Sequence, residues 1–260
     1  MSDWKPSLYL KFEKERTQPA IDLVMKIEHE NPVRIVDIGC GPGNSTSVLK
    51  ARWNNSEIIG VDSSPAMIEQ AQKTGENIDW VCADASSDLS NLGKFDIVFS
   101  NAAIQWIPNH EKLLSNLFEL LNPNGILAVQ VPDTTNMPFH TELKRFITTD
   151  EWKKFFVSLS NVYSANGYRH FYDILSDLSS HIEMWVTDYC HILNTHNEIV
   201  KWVSAAALRP YINCFNDERM KDKFLLEYEN YLSKVYPKQR NNKIMFPFTR
   251  VFFIAKRGPL

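Results

Sequence analysis

A glycine-rich segment that directly follows the first predicted strand is the strongest chemical signal in the chain. It begins at Asp37 and has glycines at positions 39, 41 and 43. Glycines let the backbone turn tightly and approach a ligand closely, and the helix predicted to begin near Ser45 would offer unpaired N–H groups. Because the loop lies between a strand and a helix, it predicts a cofactor-binding site.

An acidic residue stands where such sites hold a ribose. The carboxylate expected about 20 residues beyond the first glycine is Asp62, at the end of the second predicted strand, and it could accept hydrogen bonds from both ribose hydroxyls. The dinucleotide fingerprint G-x-G-x-x-G also requires a glycine at position 44, where this chain has Asn44. A nicotinamide- or flavin-dependent oxidoreductase therefore remains an alternative that Asn44 disfavours.

Polar residues follow the third and fourth predicted strands as well. Asp84 and Ala85 come after the third strand, and Asn101 comes after the fourth. Because open α/β sheets bind ligands at the carboxyl ends of their strands, these residues are expected to join the glycine loop and Asp62 in one site. Each also has a structural interpretation, as a turn, a helix cap or a solvated acid.

The pattern Asp-x-Gly-x-Gly-x-Gly followed by a strand-end acid resembles class I S-adenosylmethionine-dependent methyltransferases. In that family the position of Asp84 and Ala85 contacts adenine, and the position of Asn101 is where cofactor and substrate meet. The resemblance implies that S-adenosyl-L-methionine is the cofactor and that its binding residues are Asp37, Gly39, Gly41, Gly43, Asp62, Ser63, Met67, Asp84, Ala85 and Asn101. For Met67, a place in the core is an equally good interpretation.

The residues after the fourth strand bear on the methyl acceptor. Members of the class that methylate amino groups usually have Asn or Asp followed by Pro-Pro and an aromatic residue, whereas this chain has Ala102 after Asn101 and continues to Gln105 and Trp106. The side-chain N–H groups of Gln105 and Trp106 could both donate to an anionic oxygen. These two are the candidate catalytic residues, which would orient an acceptor carboxylate. No general base is expected, because a carboxylate with a pKa of about 4 is already ionised at neutral pH.

Segments along nearly the whole chain resemble the family of trans-aconitate methyltransferases, among them residues 2–10, 60–68, 172–176 and 208–211. The resemblance implies methyl transfer to a carboxylate of trans-aconitate, with another small carboxylic acid as the alternative acceptor. A tricarboxylate should be held by arginines that pair bidentately with its carboxylates. The implied acceptor-binding residues are Tyr9, His170, Tyr172, Arg209 and Arg250. Either arginine could instead be a solvated surface charge.

Aromatic side chains near the chain start would complete such a site. Trp4, Tyr9 and Phe12, together with Trp106, could exclude water from the reacting groups or simply pack in the core.

Short β-branched runs alternate with helical patterns between Val33 and Val131, which is typical of βαβ units and a parallel sheet. Strands are predicted at residues 34–38, 57–61, 79–82, 95–100 and 125–131, with later ones at 183–189 and 250–255. The predicted fold class is α/β: a Rossmann-like, doubly wound, mostly parallel seven-stranded sheet with one strand reversed near its edge. A helical cap is inserted before the last strands.

Three domains are predicted along the chain. Residues 1–132 form an S-adenosylmethionine-binding core with an N-terminal helical lid, residues 133–245 a mainly helical substrate-binding cap with a sheet strand near 183–189, and residues 246–260 a final strand that returns to the core sheet. Ser64 is predicted to cap a helix that begins at Pro65. Residues 122–125 are predicted to turn from the last core helix into the following strand.

Composition excludes several classes of protein. The 260 residues are 44% hydrophobic and 23% charged, as in ordinary globular proteins, and a formal net charge of −3 disfavours nucleic-acid binding. The four cysteines form no C-x-x-C pair and the histidines show no metal-ligand spacing, so no metal is expected. No export signal and no apolar run of about 18 residues is recognised, which favours a cytoplasmic protein with no membrane partner. The resemblance implies a small tricarboxylate as the partner. The sequence leaves the oligomeric state open, and a cofactor-binding module without activity is a further alternative.

Overall fold

A seven-stranded sheet forms the centre of the computed structural model, which describes residues 13–75, 77–157, 159, 167–204 and 207–259. The strands are β1 (Arg34–Ile38), β2 (Glu57–Asp62), β3 (Asp79–Cys82), β4 (Phe95–Asn101), β5 (Leu121–Pro132), β6 (Ile182–Leu193) and β7 (Ile244–Lys256). Their order across the sheet is β3-β2-β1-β4-β5-β7-β6.

Helices connect the strands. The α-helices in the described part of the chain are α1 (Glu13–Lys26), α2 (Asn44–Arg52), α3 (Pro65–Gln72), α4 (His110–Glu119), α5 (Pro138–Ile147), α6 (Tyr168–Ser176), α7 (His196–Ser204), α8 (Arg209–Ile212) and α9 (Glu218–Val235). Short 3₁₀ turns lie at Ser90–Leu92, Ile104–Trp106 and Lys153–Phe155.

The pairing of the strands confirms the predicted fold class. The strands β1 to β5 pair in parallel, and β7 runs antiparallel to β5. The central strands β1 and β4 are buried almost throughout, because helices cover both faces of a parallel sheet and leave no solvent side for polar residues. The chain leaves β1 toward β2 on one side and later returns to place β4 on the other side. The sheet therefore has its topological switch point between β1 and β4, where ligands bind in such folds.

The segment 122–125 differs from the sequence prediction. Helix α4 ends at Glu119 and β5 begins at Leu121, so these residues belong to the strand and do not form a turn before it. They make a bulge: Leu121 pairs with Phe95 and Ile126 pairs with Ile97, so the extra residues lie between two paired positions. Asn124 takes a positive φ of 62°, which asparagine tolerates better than most residues.

The described residues divide into two compact units. One contains the residues up to 132 together with 167–186 and 250–259, and the other contains 133–159 and 187–249. Residues 167–186, which the sequence pattern assigned to the cap, thus lie in the first unit.

The first unit has one apolar core. It joins side chains of β1, β4, β5 and the end of β7 to Leu113, Leu114 and Leu117 of α4 and to Phe171 and Leu175 of α6. The burial of α4 on this core fixes the turn that precedes it, which carries Gln105 and Trp106, and the burial of α6 fixes the helix that carries His170 and Tyr172.

The second unit is built on aromatic packing. The ring of Phe146 lies 5.1 Å from that of Phe224 and 5.8 Å from that of Tyr228, measured between centroids. The Tyr228 hydroxyl donates to the Phe139 carbonyl oxygen at 2.6 Å, and the Phe139 N–H donates to the Tyr236 hydroxyl at 3.1 Å. Burial raises the pKa of Tyr236 to about 12. No helix among the described residues of either unit is long and apolar enough to span a membrane.

Candidate functional site

The glycine loop turns sharply over the end of β2. The N–H groups of Gly39 and Cys40 both donate to the Val61 carbonyl oxygen, at 2.7 and 3.0 Å, and α2 begins directly after Gly43. Gly39 has a φ of +73°, and a Cβ atom there would lie 2.1 Å from the Cβ of Ala103. Gly41 has a φ of +56°, and a Cβ atom there would meet no other atom within 4 Å. One glycine is therefore required by packing, whereas the other faces open space that a ligand can fill.

Asp62 holds this loop to the turn after β2. Its Oδ2 accepts the N–H of Gly41 at 2.9 Å, and its Oδ1 accepts the N–H of Ser64 at 2.9 Å. The carbonyl of Asp62 accepts the N–H of Ala83 at 3.0 Å, which ties the end of β3 to the same point. Each carboxylate oxygen can accept a second hydrogen bond, so the half-buried Asp62 can also receive hydroxyl donors.

Asp37 lies behind the loop and is fully buried. Its Oδ2 accepts hydrogen bonds from the hydroxyls of Ser45 at 2.6 Å and Thr46 at 2.7 Å, in the first turn of α2. Its Oδ1 is buried with no partner among the described residues. Burial raises the pKa of Asp37 from 3.8 to about 6, although the two hydroxyls oppose that shift. These hydrogen bonds fix the loop to the helix.

A pH dependence follows from this buried acid. Because the folded-state pKa of about 6 exceeds the usual 3.8, the folded protein binds a proton that the unfolded chain releases. The free energy of unfolding should therefore fall as the pH rises from about 4 to about 6, by about 3 kcal/mol in total. Asp37→Asn keeps an oxygen for Ser45 and Thr46 but does not ionise. Urea unfolding should show the variant gaining stability relative to the wild type across that interval, with a constant difference above it. Parallel profiles would show that Asp37 does not titrate in the folded state.

The remaining residues expected at the cofactor lie along the ends of β2 and β3. Ser63 and Asp84 are exposed, and the Asp84 Oδ1 accepts the Ser86 N–H at 2.8 Å. Ala85 is 8% exposed, and Met67, at 3% exposed, packs as a core residue. The Ser64 hydroxyl accepts the Met67 N–H at 3.3 Å, which confirms the predicted helix cap.

Sequence reasoning missed Trp80, which supports the loop from behind. A Cβ atom on Gly60 would lie 2.4 Å from the Trp80 ring, and one on Gly43 would lie 3.0 Å from it. The indole therefore packs against two glycines, one in β2 and one in the loop. A glycine inside a predicted strand often marks such a close approach, so Gly60 was the available signal.

The turn after β4 is held in a strained conformation. Ala102 has a positive φ of 54°, which is unfavourable for a residue with a Cβ. Its N–H donates to the Gln130 carbonyl oxygen at 2.9 Å, and its carbonyl accepts the Gln105 Nε2 at 2.7 Å. One N–H of Gln105 is thus used inside the turn, and its Oε1 is buried with no partner among the described residues. Trp106 is half-buried at the end of the same turn.

Next to this turn lies a buried cation. Arg250 of β7 is 4% exposed and pairs with Pro132 in the sheet, so the alternative of a solvated surface charge is wrong for this arginine. Its Nη1 donates to the Oε1 of Gln130 at 3.1 Å. Gln130 is fully buried and pairs in register with Asn101, whose Oδ1 is also buried with no partner among the described residues. Sequence reasoning missed Gln130, although it interrupts an apolar strand.

His170 contacts a histidine that sequence reasoning assigned no role. Its Nε2 lies 3.1 Å from the Nδ1 of His110, and the His110 Nε2 lies 3.1 Å from the Ile104 carbonyl oxygen. A carbonyl only accepts, so the His110 Nε2 carries a proton, and burial lowers the pKa of His110. The pair ties α6 to the turn that carries Gln105. Tyr172 of α6 is 52% exposed.

Two predicted acceptor-binding residues are not among the described residues of the first unit. Arg209 begins α8 in the second unit and is half-buried. Tyr9, together with Trp4 and Phe12, lies outside the described residues. Within the described ranges, no group of three or more His, Cys, Asp or Glu side chains is placed to hold a metal ion.

Comparison with known proteins shows similarity along the whole chain. Residues 35–125 match the family described as a methyltransferase domain. A trans-aconitate 2-methyltransferase of Escherichia coli (strain K12 / DH10B) is 38% identical over 257 residues, which cover 99% of this chain and 99% of that protein.

Two solved structures share the fold. The YcgJ protein from Bacillus subtilis has a TM-score of 0.60 at 15% identity, with 94% of this chain and 100% of that chain covered. Phosphoethanolamine N-methyltransferase 2 of Haemonchus contortus, in complex with phosphomonomethylethanolamine and S-adenosylhomocysteine, has a TM-score of 0.56 at 16% identity, with 93% and 53% covered. At these identities the two structures bear on the fold alone.

Proposed function

We propose that this chain, which belongs to the trans-aconitate 2-methyltransferase family, transfers the methyl group of S-adenosylmethionine to one carboxylate of trans-aconitate. The products are a monomethyl ester and S-adenosylhomocysteine, so the protein is a carboxyl O-methyltransferase. The observation that carries the proposal is the relationship at 38% identity over 99% of both chains, which includes the residues beyond the cofactor-binding half.

The residues at the strand ends fit S-adenosylmethionine. Asp62 offers a carboxylate that can accept from two ribose hydroxyls, and the open space at Gly41 leaves room for a ligand against the loop. The buried Oδ1 of Asn101 is an acceptor that suits the ammonium group of the cofactor. We therefore retain Gly39, Gly41, Gly43, Asp62, Ser63, Asp84, Ala85 and Asn101 as the proposed cofactor-binding residues. The buried Asp37 and Met67 would support them from behind.

The reaction requires the protein to position the reacting groups and requires no proton transfer. When bound, S-adenosylmethionine supplies a methyl group activated by a positively charged sulfur, which an ionised carboxylate oxygen can accept directly. The chain has to neutralise the other negative charges, orient the reacting oxygen and exclude water, because alignment of reacting groups contributes several kcal/mol. We assign the orientation to Gln105 and Trp106. We assign the binding of the other carboxylates to Arg250, with His170 and Tyr172 on α6, and to Arg209 and Tyr9 from the sequence resemblance.

The same proposal gives roles to the predicted domains. Residues 1–132 would bind the cofactor under an N-terminal lid, residues 133–245 would contribute to acceptor recognition, and residues 246–260 would return Arg250 to the sheet. A cytoplasmic location fits an enzyme that consumes S-adenosylmethionine and a small tricarboxylic acid. Cell fractionation followed by immunodetection would test the location.

A substitution at Gly41 separates ligand binding from folding. Gly41→Ala should lower the affinity for S-adenosylhomocysteine at least about tenfold, since its methyl group would occupy the space left for the ligand. The matched control is Gly75→Ala, because Gly75 also has a positive φ, of +70°, and open space around its missing Cβ. Both variants should lose about 2–8 °C in Tm from the backbone strain alone. Calorimetric titration that finds equal affinities in the two variants would exclude a ligand against Gly41.

An acceptor panel tests the proposed reaction. Purified protein would be incubated with methyl-labelled S-adenosylmethionine and, in turn, trans-aconitate, cis-aconitate, citrate, a dicarboxylate and a monocarboxylate. We expect the highest kcat/KM for trans-aconitate. Preferred transfer to a different acid would move the acceptor to the alternative class of small carboxylic acids, and transfer to no acid in the presence of cofactor binding would contradict the proposal.

A further inference from the structure

Gln130 is a polar residue within an otherwise apolar part of β5. It lies near the carboxyl end of β5, between Val129 and Val131, and is fully buried. Burying an amide group whose hydrogen bonds are not all made costs about 1–3 kcal/mol. The position therefore suggests a purpose other than stability.

The orientation of its amide is set by Arg250. A guanidinium only donates hydrogen bonds, so the atom of Gln130 that lies 3.1 Å from the Arg250 Nη1 must be the oxygen. The NH₂ group consequently lies on the other branch of the amide. This Nε2 is buried and has no partner among the described residues.

The backbone of Gln130 is fixed as firmly as its side chain. Its carbonyl accepts the N–H of Ala102, and its register partner in β4 is Asn101. Gln130 and Arg250 thus lie beside the turn that carries Gln105, at the edge of the sheet where β4 and β5 end. The Nε2 donor therefore belongs to a side chain beside the turn after β4, next to which the methyl acceptor has to lie if the proposed function holds.

The donors in this region define the chemistry of the ligand. Arg250 supplies a positive charge, and Gln130 supplies N–H donors. A carboxylate matches a guanidinium beside an amide donor, because its two oxygens can accept from both. A neutral acceptor would carry no charge to match the guanidinium, and a cationic group would be repelled by it.

We propose that Gln130 is an acceptor-binding residue, whose Nε2 binds one carboxylate of the acceptor together with Arg250 while its Oε1 holds the guanidinium in place. The inference rests on the proposed function and deepens it. It adds a residue that recognises the negative charge of the acceptor and is not one of the orienting residues Gln105 and Trp106.

Two substitutions test the role of Gln130. Gln130→Glu preserves the shape of the side chain but sets a carboxylate against Arg250, which neutralises the cation internally and repels the acceptor. We expect the KM for trans-aconitate to rise about 30- to 100-fold. Gln130→Leu removes both the donor and the acceptor atom with little change in volume, and we expect a rise of about tenfold. In both variants kcat at saturating acceptor should change less than KM, and the Kd for S-adenosylhomocysteine should stay within about twofold of the wild type.

The controls separate this role from general damage. Gln72→Glu makes the same change in net charge on an exposed residue at the end of α3, and it should leave KM unchanged. A wild-type KM in both Gln130 variants, or a loss of cofactor affinity equal to the loss of acceptor affinity, would overturn the inference while leaving the methyl transfer intact. Wild-type protein that methylates no carboxylic acid would instead overturn the proposed function, and this inference with it.

Discussion

Asp62→Ala should raise the Kd for S-adenosylhomocysteine by at least about 100-fold, the largest change in affinity that we expect from a single substitution. The carboxylate would accept two hydroxyl hydrogen bonds, and bonds to a charged group contribute about 1.5–3 kcal/mol each. The same carboxylate holds the N–H groups of Gly41 and Ser64, so the variant also loses the shape of the loop. Titration calorimetry with S-adenosylhomocysteine measures the effect.

Asp79→Ala provides the matched control. Asp79 is an exposed aspartate on the neighbouring strand β3, but it lies at the start of that strand and away from the carboxyl edge of the sheet. Its replacement removes the same charge and should leave the affinity unchanged. An Asp62→Ala protein that binds the ligand as tightly as Asp79→Ala would show that the ribose is held elsewhere.

Gly39→Ala should destabilise the protein by about 2–4 kcal/mol, the largest loss of stability that we expect. The added Cβ would lie 2.1 Å from the Cβ of Ala103 at a φ of +73°, so both a steric clash and backbone strain contribute. Urea unfolding of the variant and of the wild type gives the difference.

A second substitution distinguishes the two causes. Ala103→Gly removes the atom that the new methyl group would strike. The double variant Gly39→Ala/Ala103→Gly should therefore regain the stability lost to the clash and keep only the loss from backbone strain, about 1–2 kcal/mol. If the two substitutions proved simply additive, the close approach of the loop to the turn after β4 would be refuted.

The strands that carry the site could be predicted from the sequence because parallel strands buried on both faces are continuous apolar runs. The buried run at 34–38 was placed at its actual bounds, and β6 and β7 extend beyond the predicted 183–189 and 250–255. The bulge at 122–125 was not predicted, because asparagine and glycine are equally typical of a turn and of a bulge. Which of the two forms depends on pairing with a strand that is distant in sequence.

Site residues were predictable where a general rule of backbone geometry places them. They were not predictable where tertiary packing determines which residues come together. Glycines after a strand and an acid at the next strand end follow from general geometry, and both meet in the contact between Gly41 and Asp62. Trp80 and Gln130 act through neighbours that only the fold brings close. Trp80 packs against the glycines of β2 and of the loop, and Gln130 bonds to Arg250. Asp37 lies within the motif, but its burial could not be inferred from spacing.

The mass of the product made from trans-aconitate tests the central claim most directly. Protein incubated with trans-aconitate and S-adenosylmethionine that carries a deuterated methyl group should yield the acid with one labelled methyl group, and mild alkaline hydrolysis should return unlabelled trans-aconitate because the bond formed is an ester. Unchanged acid in the presence of bound cofactor, or a labelled methyl group that survives alkali, would contradict carboxyl methylation.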